Sequence, residues 1–294
     1  MYVVLGASGG TGNAVAAGLL GHEEKVRVVG RDRTKLAALE KRGAEAFVAD
    51  VESAESLRAA FAGASAAYVL VPPNFVVDDF RGYQWRVTAA IGDAVEHAKV
   101  QHVVLLSSMG AEHPAGTGPI VGLHELEQRL GRIPGLNVLA LRAGYFMTNL
   151  MAGLGLMKGQ GINAVPAPAD APMTLVMPTD LGPYAAKRLA ARDFVGRQTV
   201  NLVGPRPTTM SDATAMLSQA AGKPITYVQA PFEAAEQGMI QAGVRPQLAA
   251  LYVEMYKAAG EGKLAPEAGT PVVNLPTSFE VFAREVFAPA FRAA

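Results

Sequence analysis

The chain has 294 residues, of which 50% are hydrophobic and 18% charged, a composition typical of a folded globular protein and not of a disordered one. Lys and Arg number 26, equal to the 26 Asp and Glu, so the net charge gives no reason to expect a nucleic acid or an anionic membrane as a partner. The absence of cysteine excludes disulfides, thiolate zinc sites and cysteine nucleophiles, and it fits a reducing compartment.

The chain starts without a basic or cleavable apolar leader, because Tyr2–Leu5 already reads as part of a folded sheet. No uninterrupted apolar run approaches the ~18 residues that a membrane helix needs. We therefore expect a cytoplasmic protein.

The first half of the sequence alternates short apolar runs with segments that carry helix-start and helix-stop residues. The apolar runs are nearly continuous, which is typical of parallel strands covered on both faces. The predicted strands are Tyr2–Leu5, Val26–Val29, Ala46–Val51, Ala66–Val71, Val103–Leu106 and Val138–Leu141. With a helix predicted between each pair of strands, the pattern predicts an α/β fold with a Rossmann-type doubly wound parallel sheet.

After Arg142 this regular alternation ends, and residues 166–172 form a Pro-rich connection. The remaining predicted elements are helices over Thr179–Ala191, Ser211–Ala221, Ala234–Ala259 and Ser278–Phe287, and strands over Thr199–Val203 and Ile225–Val228. We predict an NAD(P)-binding Rossmann domain over residues 1–145 and a smaller, less regular substrate lobe over residues 146–294. The boundary is approximate and the two parts are interleaved.

The first strand runs into VLGASGGTG, residues 4–12, which fits two motifs of different chemistry. One is a hydrolase nucleophile elbow with Ser8 as the attacking group, and the other is a dinucleotide loop. An elbow needs several strands before it, whereas Ser8 has only seven residues before it. A strand, a glycine loop, a helix and a second strand form the complete dinucleotide context. The pattern favours pyrophosphate binding over an unliganded turn, with Gly6, Gly9 and Gly12 as its glycines and Ser8 as a loop residue.

The end of the second strand carries both an acidic and a basic residue, the two residue types that distinguish NAD from NADP. An acidic side chain there accepts from a ribose 2′-hydroxyl, whereas Arg binds a 2′-phosphate. Three cations in five residues, Arg31, Arg33 and Lys35, form a plausible phosphate clamp and favour NADP(H), with Arg31 as the main discriminator. Asp32 is better explained as a helix N-cap. The alternative is that these charges form a solvated helix start. Asp50 and Val51, which close the third strand, are placed to meet the adenine edge.

Several segments together resemble the NmrA-like group of atypical short-chain dehydrogenases/reductases, which includes NADPH-dependent quinone reductases and redox-sensing regulators. The resemblance extends to about residue 230, and the stretch Tyr145–Asn149 in its position is more specific than the glycine loop. The matching segments are Gly6–Gly12, Val26–Arg31, Val103–Ala111, Leu141–Asn149, Val203–Thr209 and Ala221–Ile225.

The resemblance implies where the cofactor and the substrate bind. The residues that would line the pyrophosphate are Gly6, Ser8, Gly9, Gly10, Thr11 and Gly12. Arg31 and Lys35 would meet the 2′-phosphate, and the stretch Leu70–Pro73, with Val71 and Pro72, would pass beside the adenosine ribose. Ser107 and Ser108 would flank the nicotinamide. The substrate cavity would be bordered by Tyr145, Phe146 and Asn149.

The acid that short-chain dehydrogenases use is absent from its expected helix. Residues 118–130 contain neither the Tyr nor the Lys of the Tyr-x-x-x-Lys pair. The candidate catalytic residues are His124, oriented by Glu127 one turn away, Tyr145 and Ser108. The alternatives are a charged surface for the helix and simple burial for Tyr145.

These observations favour an NADPH-dependent reductase that transfers hydride to a quinone or a similar electron-poor small molecule, because such acceptors need less acid catalysis than ketones. One alternative is a non-catalytic NADP(H) sensor that binds a protein partner. Another is a reductase or isomerase of a specific metabolite that uses His124 or Tyr145 as its acid. The five histidines show no metal-binding spacing, and whether the chain forms a homo-oligomer stays open.

Overall fold

Eight parallel strands form the central sheet of the computed structural model, which describes residues 1–293. Within these residues the strands are β1 Tyr2–Leu5, β2 Val26–Gly30, β3 Glu45–Val48, β4 Ala66–Val69, β5 His102–Ser108, β6 Asn137–Ala143, β7 Tyr145–Phe146, β8 Ile162–Val165, β9 Leu175–Val176, β10 Arg197–Val203, β11 Thr226–Gln229 and β12 Val272–Asn274. The order across the central sheet is β12–β10–β6–β5–β4–β1–β2–β3. The other four strands form two small parallel pairs, β7 with β9 and β8 with β11.

Helices cover both faces of the sheet. In the described part of the chain the α-helices are α1 Gly10–Gly21, α2 Ala37–Glu40, α3 Ala54–Phe61, α4 Phe80–His97, α5 Val121–Gly131, α6 Leu154–Gln160, α7 Leu181–Ala191, α8 Met210–Ala221, α9 Phe232–Gln241, α10 Pro246–Gly260, α11 Phe279–Phe282 and α12 Ala288–Arg292. Short 3₁₀ segments are Arg33–Leu36, Gly118–Ile120, Met147–Gly153 and Pro178–Asp180, and a π-helical turn covers Ala283–Phe287. None of these helices has the length and apolar character that crossing a bilayer requires.

The strands are apolar on both sides because two separate cores sandwich the sheet. Along β1, Val4 packs into the core that contains α1 and α7, whereas Val3 and Leu5 pack into the core under α3, α4 and α5. Helices α1 and α7 come close together because Gly18 lies directly against Ala186. The strands are therefore nearly continuously hydrophobic because both faces of the sheet are covered, as the sequence predicts.

The chain reverses its direction of winding at β1, which has β2 on one side and β4 on the other. In open α/β sheets, ligands bind at such a switch point, beyond the carboxyl ends of the strands. We call this side the carboxyl edge of the sheet. It places the turn after β1 and the segment after β4 next to each other.

The predicted α/β fold and its first six strands are confirmed, with ends that differ by up to three residues. The predicted single helix over Ala234–Ala259 is wrong. It is two helices, α9 and α10, because Gly243 takes a left-handed conformation with φ of 93° and Pro246 begins the next helix.

The second half also contributes to the central sheet. Strand β10 pairs with β6, and β12 pairs with β10, so the sheet continues past the predicted boundary at residue 145. The division into a cofactor domain and a substrate lobe stays a prediction.

Candidate cofactor and substrate site

The glycine loop leaves the N-terminus of α1 open. Gly6 follows β1 with a left-handed φ of 66°, and its carbonyl accepts a hydrogen bond from the N–H of Gly9 at 2.9 Å. No side chain caps α1, whose N-cap residue is Gly9, and no acidic residue lies in its first turn. The first N–H groups of this 12-residue helix therefore face the carboxyl edge without a protein partner, which is the arrangement that binds phosphate.

The loop also fits a dinucleotide sterically. A Cβ at Gly12 would overlap the carbonyl oxygen of Gly6, so the helix and the strand touch backbone to backbone. At Gly10 a Cβ would meet nothing within 4 Å, and Ser8, Gly9 and Gly10 are exposed. Backbone groups surround an accessible space here, as the pyrophosphate of a dinucleotide requires.

The charged residues after β2 have separate partners. Asp32 accepts from the Thr34 backbone at 2.9 Å and from the Thr34 hydroxyl at 2.6 Å, and these two bonds lower the pKa of the Asp32 carboxyl. The side chain is thus the N-cap of the 3₁₀ segment, as predicted. Arg33 pairs with Glu40 at 2.8 Å.

Arg31 and Lys35 are exposed, and neither side chain forms a hydrogen bond or an ion pair with another described residue. Both follow β2, the neighbour of β1, so they lie beside the open end of α1. Two cations without protein partners next to an anion-binding loop could hold a second phosphate.

The ends of β3 and β4 complete this side of the site. The Asp50 carboxylate accepts from the backbone N–H of Glu52 at 3.0 Å, and Val51 is buried. Tyr83 of α4 donates to the carbonyl of Pro72 at 2.9 Å and so holds the segment that follows β4, where Val71 and Pro72 are partly exposed. Burial raises the pKa of the Tyr83 phenol to about 12, so it remains a donor at neutral pH.

At the end of β5 the two predicted serines differ. Ser107 is buried, and its hydroxyl donates to Glu127 at 2.6 Å. Ser108 is partly exposed, and its hydroxyl donates to the Met109 carbonyl at 3.0 Å. Ser107 is therefore held by a buried carboxylate, while Ser108 reaches the carboxyl edge.

Glu127 belongs to an ionic cluster around Arg142 of β6, in which Arg142 and Glu127 are buried and Glu267 is exposed. Arg142 donates to Glu127 at 3.1 and 2.8 Å, to Glu112 at 3.0 Å and to Glu267 at 2.7 Å. Burial alone would lower the pKa of the Arg142 guanidinium, but the three carboxylates raise it. We call these four residues the Arg142 cluster.

The predicted pairing of His124 with Glu127 is wrong. The Nδ1 of His124 lies 2.8 Å from the carbonyl oxygen of Ala111, so a neutral ring carries its hydrogen on Nδ1 and none on Nε2. Glu127 is turned away toward Arg142 because a buried carboxylate needs a cation. His124 is a weaker candidate for the proton donor than the sequence indicated.

Tyr145 lies at the carboxyl edge and has a partner that the sequence did not reveal. Its backbone N–H donates to the Thr174 carbonyl at 2.8 Å, and its hydroxyl lies 3.1 Å from the hydroxyl of Tyr256 on α10. Burial and the neighbouring tyrosines, Tyr256 first, raise the pKa of Tyr145 well above its ordinary value, and burial raises the pKa of Tyr256. Of the other predicted cavity residues, Phe146 is partly buried and Asn149 is exposed.

Helix α10 reaches this edge through close contacts along its length. The side-chain oxygen of Gln247 accepts from the backbone of Phe80 and Arg81 at the start of α4. One turn further, the carbonyl of Leu251 lies where a Cβ on Gly118 would be. These contacts bring Tyr256 over the ends of β5 and β6. The spacing of Tyr252 and Tyr256, one turn apart, is the signal that could have identified α10 as part of the site.

No group of three or more His, Cys, Asp or Glu residues within residues 1–293 is arranged to hold a metal ion.

Comparisons with known proteins agree with this geometry. The model of the NmrA-like family matches residues 2–283. The NAD(P)H azoreductase of Xenophilus azovorans is 28% identical over 267 residues, which cover 90% of this chain and 89% of that protein.

Two crystal structures have the same fold. The triphenylmethane reductase of Citrobacter sp. complexed with NADP(H) has a TM-score of 0.81 and 23% identity, and it covers 97% of this chain and 100% of its own. The NADPH-dependent quinone oxidoreductase of Escherichia coli complexed with NADPH has a TM-score of 0.81 and 20% identity, with 98% and 100% covered.

Proposed function

The chain belongs to the NmrA-like family, and from this we propose that it is an NADPH-dependent reductase that acts on a quinone or a similarly electron-poor small molecule. The observation that carries the proposal is the open N-terminus of α1 beside two cations without protein partners, Arg31 and Lys35. The loop supplies neutral N–H donors for a pyrophosphate, and the two cations supply charge for a 2′-phosphate.

The nicotinamide cofactor supplies a hydride when bound. The chain's own residues then bind and orient: the glycine loop holds the pyrophosphate, Arg31 and Lys35 hold the 2′-phosphate, and Ser108 borders the space at the end of β5. The relative from Xenophilus azovorans is an NAD(P)H azoreductase, and the reduction of an azo group by that protein supports an electron-poor acceptor here.

A second candidate is a non-catalytic NADP(H) sensor that binds a protein partner. It is favoured by the state of the serine at the end of β5, because the hydroxyl of Ser107 is held by Glu127 and is not directed to a substrate. Steady-state oxidation of NADPH with simple quinones and azo compounds separates the two candidates. A sensor binds NADPH and leaves it intact.

The cofactor is tested by paired titrations with NADPH and NADH, read by nicotinamide fluorescence. We expect wild type to bind NADPH more tightly, and Arg31→Ala to weaken NADPH binding about 10-fold to 100-fold, as the loss of a charge-assisted hydrogen bond predicts. Binding of NADH should not change, because NADH lacks the 2′-phosphate that Arg31 is proposed to hold.

Arg33→Ala is the matched control, since Arg33 lies two residues away but is paired with Glu40. It should bind NADPH as wild type does. If NADH binds as well as NADPH, the assignment of Arg31 is wrong. If neither binds, the reductase and the sensor are both excluded.

A further inference from the structure

Tyr145 and Tyr256 form a pair at the carboxyl edge. Their two hydroxyls carry two hydrogens, and the hydrogen bond between them uses only one. The hydroxyls of Tyr145 and Tyr256 lie 3.1 Å apart, and either can donate to the other. Neither hydroxyl has another hydrogen-bond partner among residues 1–293. One O–H is therefore left over, and a partly exposed site is where a ligand can accept it. Tyr227 nearby differs, since its hydroxyl already contacts the carbonyls of Val165 and Ala167.

The sheet places this pair at a useful distance from the glycine loop. Ala143, the last residue of β6, is in register with Ser108 at the end of β5, and Tyr145 follows two residues later. Strands β4 and β5 lie between β1 and β6, so the pair is three strand spacings, about 14 Å, from the loop after β1. The loop and the pair thus lie at the same carboxyl edge of the sheet, and the end of β5 with Ser108 lies between them.

The surroundings of the pair are apolar and aromatic. Tyr145 and Tyr256 pack against a core of the second half together with Met151, Met173 and Met177. A flat aromatic ligand with an oxygen or a nitrogen at its edge fits this environment, because its ring would meet apolar side chains and its polar atom would meet the hydroxyls.

We propose, on the basis of the reductase function, that the Tyr145–Tyr256 pair binds the acceptor atom of the substrate and protonates it, with Tyr256 as the donor and Tyr145 as its hydrogen-bond partner. In a quinone, two electrons arrive as hydride from the reduced nicotinamide and one proton arrives from the Tyr256 O–H. The O–H bond of Tyr256 breaks, a new O–H bond forms on the substrate, and water returns the proton to the phenolate. The quinone becomes a hydroquinone.

Burial raises the pKa values of the Tyr145 and Tyr256 phenols, so both are protonated at neutral pH. A weak acid of this kind holds a neutral hydrogen bond to the oxidised substrate. It gives up its proton as the hydride arrives and negative charge builds on the acceptor atom.

The test compares Tyr256→Phe, Tyr145→Phe and the double variant with wild type, using quinones of graded electron deficiency. Each variant keeps the ring and loses only the hydroxyl. We expect Tyr256→Phe to lower kcat about 100-fold with the least electron-poor quinone, the lower end of general-acid effects. The loss should be smaller with strongly electron-poor quinones. The double variant should lose little more than Tyr256→Phe, because the pair acts as a unit.

Tyr184→Phe on α7 is the control, because the hydroxyl of Tyr184 accepts from Arg188 on the same helix and makes no bond to Tyr145 or Tyr256. It should leave kcat and the NADPH affinity unchanged. A structural role for Tyr256 would lower kcat equally for every quinone, or would weaken NADPH binding, and either result overturns the proposal.

A measurement without turnover separates this proposal from the reductase function. Equilibrium dialysis of the protein with a hydroquinone, the reduced form of the substrate, reports on the pair directly. We expect Tyr145→Phe/Tyr256→Phe to bind it at least 10-fold more weakly than wild type. Equal binding by both overturns the role of the pair even if wild type oxidises NADPH. Weakened binding by an enzyme that never oxidises NADPH rejects the proton transfer and the reductase function but retains the ligand site.

Discussion

Gly12 is the residue at which the cofactor loop has least tolerance. The carbonyl of Gly6 occupies the position where a Cβ would be, and backbone atoms on both sides leave no flexible neighbour to move. We expect Gly12→Ala to lower the free energy of unfolding by about 1–3 kcal/mol, as overpacking does. It should also abolish detectable NADPH binding, because the loop has to separate from the helix. Urea denaturation and nicotinamide fluorescence measure the two effects.

Gly21→Ala is the control for this change, at the other end of α1. A Cβ there meets nothing within 4 Å. The substitution should stabilise the protein by about 0.5–1 kcal/mol through the lower backbone entropy of the unfolded chain. If Gly12→Ala binds NADPH as Gly21→Ala does, the close contact with Gly6 has no part in shaping the loop.

Among individual residues, local roles could be predicted from the sequence and distant pairings could not. The N-cap role of Asp32 depends on Thr34, two residues away, and it is confirmed. The predicted contact of His124 and Glu127 relied on helix spacing alone. It is wrong because Glu127 is buried beside Arg142, which lies on another element. Helix periodicity shows which side chains share a face but not what that face packs against.

Among the elements, α10 depends on a glycine that it does not contain. Gly118 has a φ of 59°, and a Cβ there would overlap the carbonyl of Leu251 in α10. We expect Gly118→Ala to displace α10 from the carboxyl edge, so that the amides of residues 246–260 exchange hydrogen faster. Turnover should fall for the same reason, because Tyr256 moves away from Tyr145. Hydrogen–deuterium exchange with peptide resolution measures the displacement.

Gly116→Ala separates displacement from backbone strain. Gly116 also has a positive φ, 79°, but the nearest atom to a Cβ there is the side-chain nitrogen of Lys263 at 3.8 Å. Both substitutions impose the left-handed penalty of about 1–2 kcal/mol, and only Gly118→Ala should change exchange in α10. Equal exchange in the two variants would mean that Gly118 does not set the position of the helix.

The contribution of α10 to the site was beyond sequence reasoning for a physical reason. Its apolar pattern continues that of α9 almost without interruption, so Ala234–Ala259 reads as one helix. Gly243 and Pro246 end that helix and redirect the chain. The direction after such a break depends on contacts such as Gln247 with the start of α4, which no local pattern contains.

For the whole molecule, the sheet predicts that the first half does not fold alone. Strand β10 pairs along β6, and Leu181 and Leu189 of α7 pack in the core that α1 shares. A fragment of residues 1–145 would expose this core and one long edge of the sheet. We expect it to lack a cooperative thermal transition by circular dichroism.

Residues 146–294 added as a separate chain should restore the transition if the contacts alone are responsible. A fragment that melts cooperatively and binds NADPH by itself would instead show an independent cofactor domain, as the predicted boundary at residue 145 suggests. The positions of the first six strands along the chain were predictable because each is a local apolar run. The places of β10 and β12 were not, because strand order is set by packing across the sheet.

The Arg142 cluster has a consequence for the order in which the site forms. Glu127 and Glu112 are 15 and 30 residues from Arg142 in the sequence, whereas Glu267 is 125 residues away. Contacts between near residues close small loops and form early, and distant ones form late. The contacts of Arg142 with Glu127 and Glu112 can therefore form first, together with the sheet and α5. Glu267 pairs last, and it brings the segment after α10 to Arg142 once the rest of the molecule is in place.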